Sequence, residues 1–195
     1  MYHIKNDKRS ETSANALYHA LIETLKTTPL EEVNITKLVE KAMVGRSTFY
    51  RNFDEPLDIL KWKCDSLFLN LVDEFSKKYR REQAGQLAFV QSVFEYWEQR
   101  SELLEVLISN KRIDVIQNAT AAITTLLKKY DPAGQVESSY YQYSINLRIS
   151  IVVGMMITWI ERGKKESASE ITAILLKNLK EIPQMPVLYL GWIIE

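Results

Sequence analysis

Glycine and proline are scarce in this chain, at 6 and 5 of 195 residues. That scarcity argues against a loop-rich all-β protein, and the long stretches free of both residues favour helices. Cysteine occurs once, as Cys64, so no intramolecular disulfide can form, which fits a reducing compartment. Its neighbours Trp62, Leu67 and Phe68 suggest a buried structural thiol. The two histidines, His3 and His19, both lie near the N-terminus, so a Ser/His or Cys/His catalytic pair would need an implausible layout. Metal-ligand spacing, a phosphate-cradling glycine loop and a dinucleotide fingerprint are absent. Carboxylates are numerous enough for chance pairs, but nothing singles a pair out. The expectation is a protein with no enzymatic activity, no cofactor and no metal. Net charge is missing too: 25 basic residues balance 25 acidic ones, so a nucleic-acid role must rest on a local patch. The N-terminal MYHIKNDKRSETS lacks the apolar core of a secretory signal. The most apolar run, ISIVVGMMITWI (149–160), is bracketed by Arg148 and Glu161 and falls short of the ~20 residues that span a bilayer. A soluble, cytoplasmic chain with no membrane partner is expected, and the sequons at Asn34 and Asn118 are then chance.

What the sequence has in quantity is helical periodicity. Ala14, Leu17, Leu21 and Leu25 recur on one helix face, and Thr28-Pro29 closes that segment. Ile35, Leu38, Val39 and Ala42 follow the i, i+3, i+4, i+7 rule, with Asn34 placed as N-cap. A third stripe, Leu60, Cys64, Leu67, Phe68, Leu71 and Phe75, predicts a long helix over 57–78 that starts after Pro56, a residue tolerated in a first helical turn. Further helices are predicted at 86–99, 101–109, 111–129, 137–162 and 168–181. Asp131–Gly134 reads as a turn, Gly163 as the residue just past a helix, and Ser167 with Glu170 as a capping box. Only the C-terminal VLYLGWII carries any strand pattern. The fold class is therefore all-α, divided at 1–56 and 57–195, with the 57–78 helix bridging the parts.

One short segment departs from the neutral average. MVGRSTFYRNF (43–53) holds two arginines and no acid, directly behind the amphipathic ITKLVEKA. Placed on a helix at 100° per residue, Phe49 and Phe53 share a face that can pack on Leu38, Ala42 and the first helix. Ser47, Thr48, Tyr50 and Arg51 spread over the other side, with Arg46 at the start. Two short helices joined by a tight turn, the second apolar behind and donor-rich in front, suit the major groove of DNA. Arginine forks suit guanine or phosphate, hydroxyls suit phosphate oxygens, and the helix starts at Asn34 and Gly45 favour anions. On pattern alone, two arginines on a short helix also suit a solvated face.

The stretch TSANALYHALIETLKTTPLEEVNITKLVEKAMVGRSTFYRNF resembles the N-terminal domain of TetR-type transcriptional regulators over about residues 10–60, through Ala42, Val44, Thr48, Phe49, Tyr50 and Phe53 in order. The resemblance implies a sequence-specific DNA-binding regulator, with repression as the expectation, acting as a cytoplasmic homodimer on a pseudo-palindromic operator. It also implies a helical C-terminal domain for dimerisation and, usually, a small-molecule effector. By motif position, Arg46, Ser47, Thr48 and Tyr50 would make the main groove and phosphate contacts, with Gly45 and Arg51 beside them. Asn34, Thr36 and Lys37 would meet the backbone, and Asn52, where the family often has histidine, would contact phosphate. Three positions depart from the pattern. Met43 replaces the usual turn glycine, at a cost of about 1 kcal/mol if the turn stays left-handed. Gly45 replaces a capping serine, and Pro56 replaces a phosphate-touching lysine, for which Lys61 or Lys63 could compensate. Residues 1–63 carry ten Lys/Arg against nine Asp/Glu, so a shallow salt dependence is expected. The alternative reading is a non-catalytic interaction module that acts mainly through a partner protein, with weakened DNA binding.

Residues 137–182 resemble the last two helices of TetR-type regulators of a Gram-positive subgroup, through Trp159-Ile-Glu-Arg-Gly163 and Glu170-Ile171. In the family these helices pair across a two-fold axis. The 137–162 helix is apolar on most sides, more than one intrachain neighbour can cover. Ile149, Val152, Met156, Trp159, Ile171 and Leu175 are the dimerisation candidates. Trp97, Tyr141, Arg148 and Met155 are the effector candidates, against the plainer reading that such residues fill a helical core. Arg148 leads them, because a guanidinium amid apolar residues needs an anionic partner. The apolar tail 183–195 is expected to pack on its own domain or on the second subunit.

Overall fold

Several helices of this chain begin or end where a nearby side chain or N–H group satisfies the backbone. The computed structural model describes residues 1–5, 7–79, 86–128 and 139–181, and among them the structure is helical apart from turns and one isolated β-bridge. The helices are α1 (Lys8–Leu25), α2 (Ile35–Lys41), α3 (Arg46–Asn52), α4 (Pro56–Tyr79), α5 (Gln86–Glu98), α6 (Glu102–Ser109), α7 (Ile113–Lys128), α8 (Ser139–Glu161) and α9 (Ala168–Glu181). The all-α expectation holds. The turn at 131–134, the tail 183–195 and its strand-like VLYLGWII lie outside the described residues.

Asp7 caps α1, accepting the Ser10 N–H at 2.8 Å, and Asn34 caps α2, accepting the Lys37 N–H at 3.2 Å. The Ser167–Glu170 capping box forms reciprocally: the Ser167 N–H donates to Glu170 Oε2 at 2.8 Å, and the Glu170 N–H donates to Ser167 Oγ at 3.3 Å. Three helices, α2, α6 and α8, stop in the same way. The residue after each C-cap turns left-handed, and the next two N–H groups reach back to orphan carbonyls: Met43 N–H to Glu40 and Val44 N–H to Val39, Lys111 to Ile108 and Arg112 to Leu107, Gly163 to Ile160 and Lys164 to Trp159. Glycine takes that position only at Gly163 (φ 77°); Met43 (φ 52°) and Lys111 (φ 56°) carry side chains there.

α1 packs on α2, α3 and α4 and also touches α6. α4 continues onto α5, α6 and α7, α5 packs on α9, and α8 lies against α6 and α7. The buried residues form one continuous cluster from Ala14 in α1 to Leu175 in α9. Trp97 and Trp159 are its largest fully buried side chains, each with an aromatic neighbour: Phe68 at 5.0 Å from Trp97, Phe94 at 5.6 Å from Trp159.

Helix α8 corrects two expectations. Its stretch Gln142–Glu161 is long and apolar enough, by length and composition alone, to cross a membrane, because the run counted from the sequence extends back through Arg148 into the uncharged residues 142–147. Its inward face is also the one expected to dimerise. Met156 and Trp159, with Ile171 and Leu175 of α9, are buried in the protomer's own core, and Ile149 and Val152 are half-buried. The outward stripe is Tyr140, Tyr143, Leu147, Gly154 and Thr158; on α9, Ile174 and Leu179 are also exposed.

Candidate nucleic-acid interface

The α2–turn–α3 unit is held from behind. Phe49 and Phe53 are fully buried, their rings 6.1 Å apart, and Phe53 continues to Trp62 of α4 at 6.2 Å. Leu38, Val39 and Ala42 of α2 are buried on the same side. This anchoring leaves Gly45, Arg46, Ser47, Tyr50 and Arg51 exposed and Thr48 half-buried on the outer side of α3. One turn apart, Arg46 lies over the Tyr50 ring at 5.7 Å, so the guanidinium and the phenol form one surface. Thr36 and Lys37 at the start of α2 are exposed, as is Asn34, whose side-chain oxygen is engaged in its cap.

Asn52 is a correction. Its side chain is fully buried, and neither Oδ1 nor Nδ2 has a hydrogen-bond partner, so it cannot touch phosphate from this position. It sits where α3 closes on the core, and helical spacing puts it on the inner side with Phe49. Lys61 and Lys63 do not replace the lysine missing at Pro56 either. Lys61 pairs with Asp58 at 3.0 Å and Glu55 at 3.3 Å. Lys63 donates to Asn15 Oδ1 at 2.8 Å and lies over Tyr18 and Trp62, and burial lowers its pKa.

An element that local periodicity could not reveal adjoins α3. The N-terminal arm runs antiparallel to the end of α3 through a Tyr2–Phe53 bridge; the His3 N–H donates to the Asn52 carbonyl at 2.8 Å and the Asp54 N–H to the Met1 carbonyl at 3.3 Å. The Tyr2 hydroxyl donates to Asp65 at 2.6 Å, fixing the arm to α4. Lys5, Lys8 and Arg9 follow the arm, all exposed. The arm also answers the acids beside Pro56. Asp54 receives the Met1 ammonium at 2.8 Å and His3 Nε2 at 3.2 Å. Asp58 is fully buried; burial alone would raise its pKa, but hydrogen bonds from the Met1 ammonium and Lys61 outweigh that and hold it below the usual range.

The effector candidates do not converge. Trp97 is a core residue with its indole N–H unpartnered, Arg148 is exposed on α8, Met155 is half-buried, and the Tyr141 side chain lies outside the described residues. The anionic partner argued for Arg148 is unnecessary, since water reaches it. The cavities lie elsewhere. An open groove of about 350 Å³ between α7 and α8 is lined by Gln117, Thr120, Asn146, Ser150 and Val153. A cleft of about 200 Å³ between α4 and α5 is bordered by Glu74, Ser92, Glu95, Tyr96 and Arg100. In that cleft the Arg100 guanidinium lies 4.2 Å from the Tyr96 ring centroid, and the Ser92 hydroxyl has no partner.

Comparison with known proteins agrees with this architecture. Residues 87–181 match the TetR-type family model described as "Transcriptional regulator C-terminal region". No curated protein matches the sequence. Among solved structures, the chain resembles Lin0861 from Listeria innocua (TM-score 0.73, 14% identity, 92% of this chain and 96% of that one). It also resembles the fatty acid degradation regulator FadR from Bacillus halodurans (TM-score 0.62, 13% identity, 90% and 96%). A third is a TetR transcriptional regulator from Streptococcus agalactiae (TM-score 0.55, 16% identity, 86% and 93%). At these identities the structural likeness speaks for the fold, and the family model speaks for the lineage. Regulators of this type are soluble, non-enzymatic DNA-binding proteins. The match over 87–181 is thus to the C-terminal region of TetR-type transcriptional regulators, on a chain that shares its fold with the solved structures above.

Proposed function

We propose that this regulator is a cytoplasmic repressor that binds a pseudo-palindromic operator as a homodimer, one α3 per half-site. Residues 1–56 form the DNA-reading part and residues 57–195 the dimerisation and effector part. The observation that carries the reading is the acid-free outer side of α3, where Arg46, Ser47, Tyr50 and Arg51 stand exposed over a fully buried Phe49–Phe53 back. Arg46 and Ser47, at the start of α3, approach base edges, while Tyr50, Arg51 and the first turn of α2 contact phosphate. Lys5, with Lys8 and Arg9 at the start of α1, supplies the phosphate contacts that Pro56 cannot. The second subunit covers the outward stripe of α8, where Tyr140, Tyr143 and Leu147 are 82%, 77% and 63% exposed. A small-molecule effector, if this regulator takes one, finds its polar handles in the α4–α5 cleft, at Glu74, Glu95 and Arg100.

The test is selection of duplexes from a randomised pool by the full chain, followed by titration of the selected duplex over a salt series. Arg46→Ala or Tyr50→Ala should weaken binding by about 1–3 kcal/mol without lowering the melting temperature. Replacing Lys5, Lys8 and Arg9 together by alanine removes their phosphate contacts from both subunits and should flatten the salt slope of the dimer by about 5, leaving the consensus unchanged. Recovery of no consensus, with a partner protein co-purifying instead, favours the interaction-module reading.

A further inference from the structure

We propose that Met43 is a sequence-discriminating contact, packing its thioether side chain on a thymine C5-methyl group at the edge of each half-site. The inference rests on the DNA-reading assignment above and adds to it a residue outside α3. Met43 adopts φ 52°, a conformation that glycine reaches freely and a side chain reaches only against steric resistance. It is also 93% exposed, the most exposed large apolar side chain among the described residues. The turn does not need it. The hydrogen bonds that close α2 run from the Met43 and Val44 backbone N–H groups, and glycine would make them equally well. The other side chains at positive φ, Lys111 and Lys164, are lysines, and Lys164 pairs with Glu105 at 2.9 Å. Met43 alone among them presents an apolar group to water.

Strain and exposure together point to a partner that covers the side chain, and its setting says which. Lys41, Arg46 and Arg51 stand nearby in sequence, and residues 41–53 contain no acid. The Met43 Cα can lie no more than about 11 Å from that of Arg46, three residues on. A partner that is anionic overall yet offers apolar groups beside the bases Arg46 approaches is the major groove, whose apolar feature is the thymine methyl. Methionine, unbranched and polarisable, suits such a contact.

The probe is the duplex that the full-length chain enriches from a randomised pool, remade with each thymine replaced singly by uracil, which deletes only the methyl group. Wild-type protein should lose about fourfold in affinity at one position per half-site, the size of one buried methyl group. Met43→Gly, which removes the contact from both subunits, should lose about sixteenfold on the thymine duplex, lose nothing further at that uracil position, and melt no lower than wild type. Met43→Leu should restore the discrimination. If Met43→Gly binds and discriminates as wild type does while Arg46→Ala is weakened, the Met43 contact is overturned and the DNA-reading assignment stands. If no duplex is enriched, or Arg46→Ala binds as tightly as wild type, both fall together.

Discussion

Leu147→Glu separates the two faces of α8. Leu147 is 63% exposed on the outward stripe, with Tyr143 one turn before it. Full burial of a leucine is worth about 1.5–3 kcal/mol, so covering the exposed part contributes about 1–2 kcal/mol per subunit. Two-fold symmetry makes every contact occur twice, which doubles this to about 2–4 kcal/mol per dimer. Glutamate forfeits that contribution and brings two carboxylates toward a drying interface, where an unpaired charge costs several kcal/mol more. At 1.4 kcal/mol per tenfold, the dimer should weaken by at least about a hundredfold. Within the protomer the substitution is a surface change on a helix, with an expected effect inside about 0.5 kcal/mol. Sedimentation velocity over a concentration series reads the association, and far-UV circular dichroism at a concentration where both proteins are monomeric reads the fold. Met156→Ala is the counterpart on the inner face: Met156 is 1% exposed, and its truncation should cost about 2–5 kcal/mol of protomer stability. If Leu147→Glu sediments as wild type does, or if Met156→Ala dissociates the dimer without destabilising the protomer, the assignment of faces is wrong.

Three further outcomes concern stability. Lys111→Gly should raise it by about 0.5–1 kcal/mol in urea denaturation, because the residue sits at φ 56° with an exposed side chain and steric relief exceeds the entropy glycine loses. Asn52→Ala should be neutral or stabilising by up to about 2 kcal/mol, since both polar atoms of a fully buried amide lack partners; a loss above about 1 kcal/mol would reveal a partner, such as ordered water. Glu105 accepts from Lys164, which lowers its pKa, with Ser101 as a second donor. Its stabilising contribution is therefore complete above the ordinary glutamate value near 4.5 and lost as pH falls through the depressed value below it. Glu105→Gln should remove that part of the acid sensitivity while costing under about 1 kcal/mol at pH 7, as the side chain is half exposed.

Local rules carried most of the fold because they were satisfied locally. The caps at Asn34 and Ser167, Pro56 at the start of α4 and Gly163 past α8 each involve groups within four residues, so sequence spacing identifies them. What spacing could not set was direction. Helix α8 is apolar on opposite faces, so its period marks a helix without saying which face the protomer's own core takes, and the core takes the face expected to meet a second subunit. Asn52 misled for a related reason: its polarity pointed to a phosphate contact, while its place beside the buried Phe49 and Phe53 put it inside. The arm was invisible because its partners are distant in sequence. Tyr2 and Asp65 meet across most of the N-terminal part, and neither carries a periodic signal.

The balance of charge, which seemed to count against DNA, is resolved by where the acids are spent. Directly after α3 the carboxylates are Asp54, Glu55 and Asp58, and they share two cations: Asp54 and Asp58 the Met1 ammonium, Glu55 and Asp58 Lys61. These contacts offset most of the negative charge beside α4, so the acids repel phosphate less than free carboxylates would, and Lys61 is not lent to it. The cations on α3 and the arm are left as a local excess on a chain whose total is zero. A patch of that size gives one subunit a weak grip. A dimer joins two such patches, and the second half-site is then met at the high effective concentration set by the first. Operator affinity should therefore depend steeply on the α8 face, and Leu147→Glu, far from any base, should cost as much binding as the loss of a half-site.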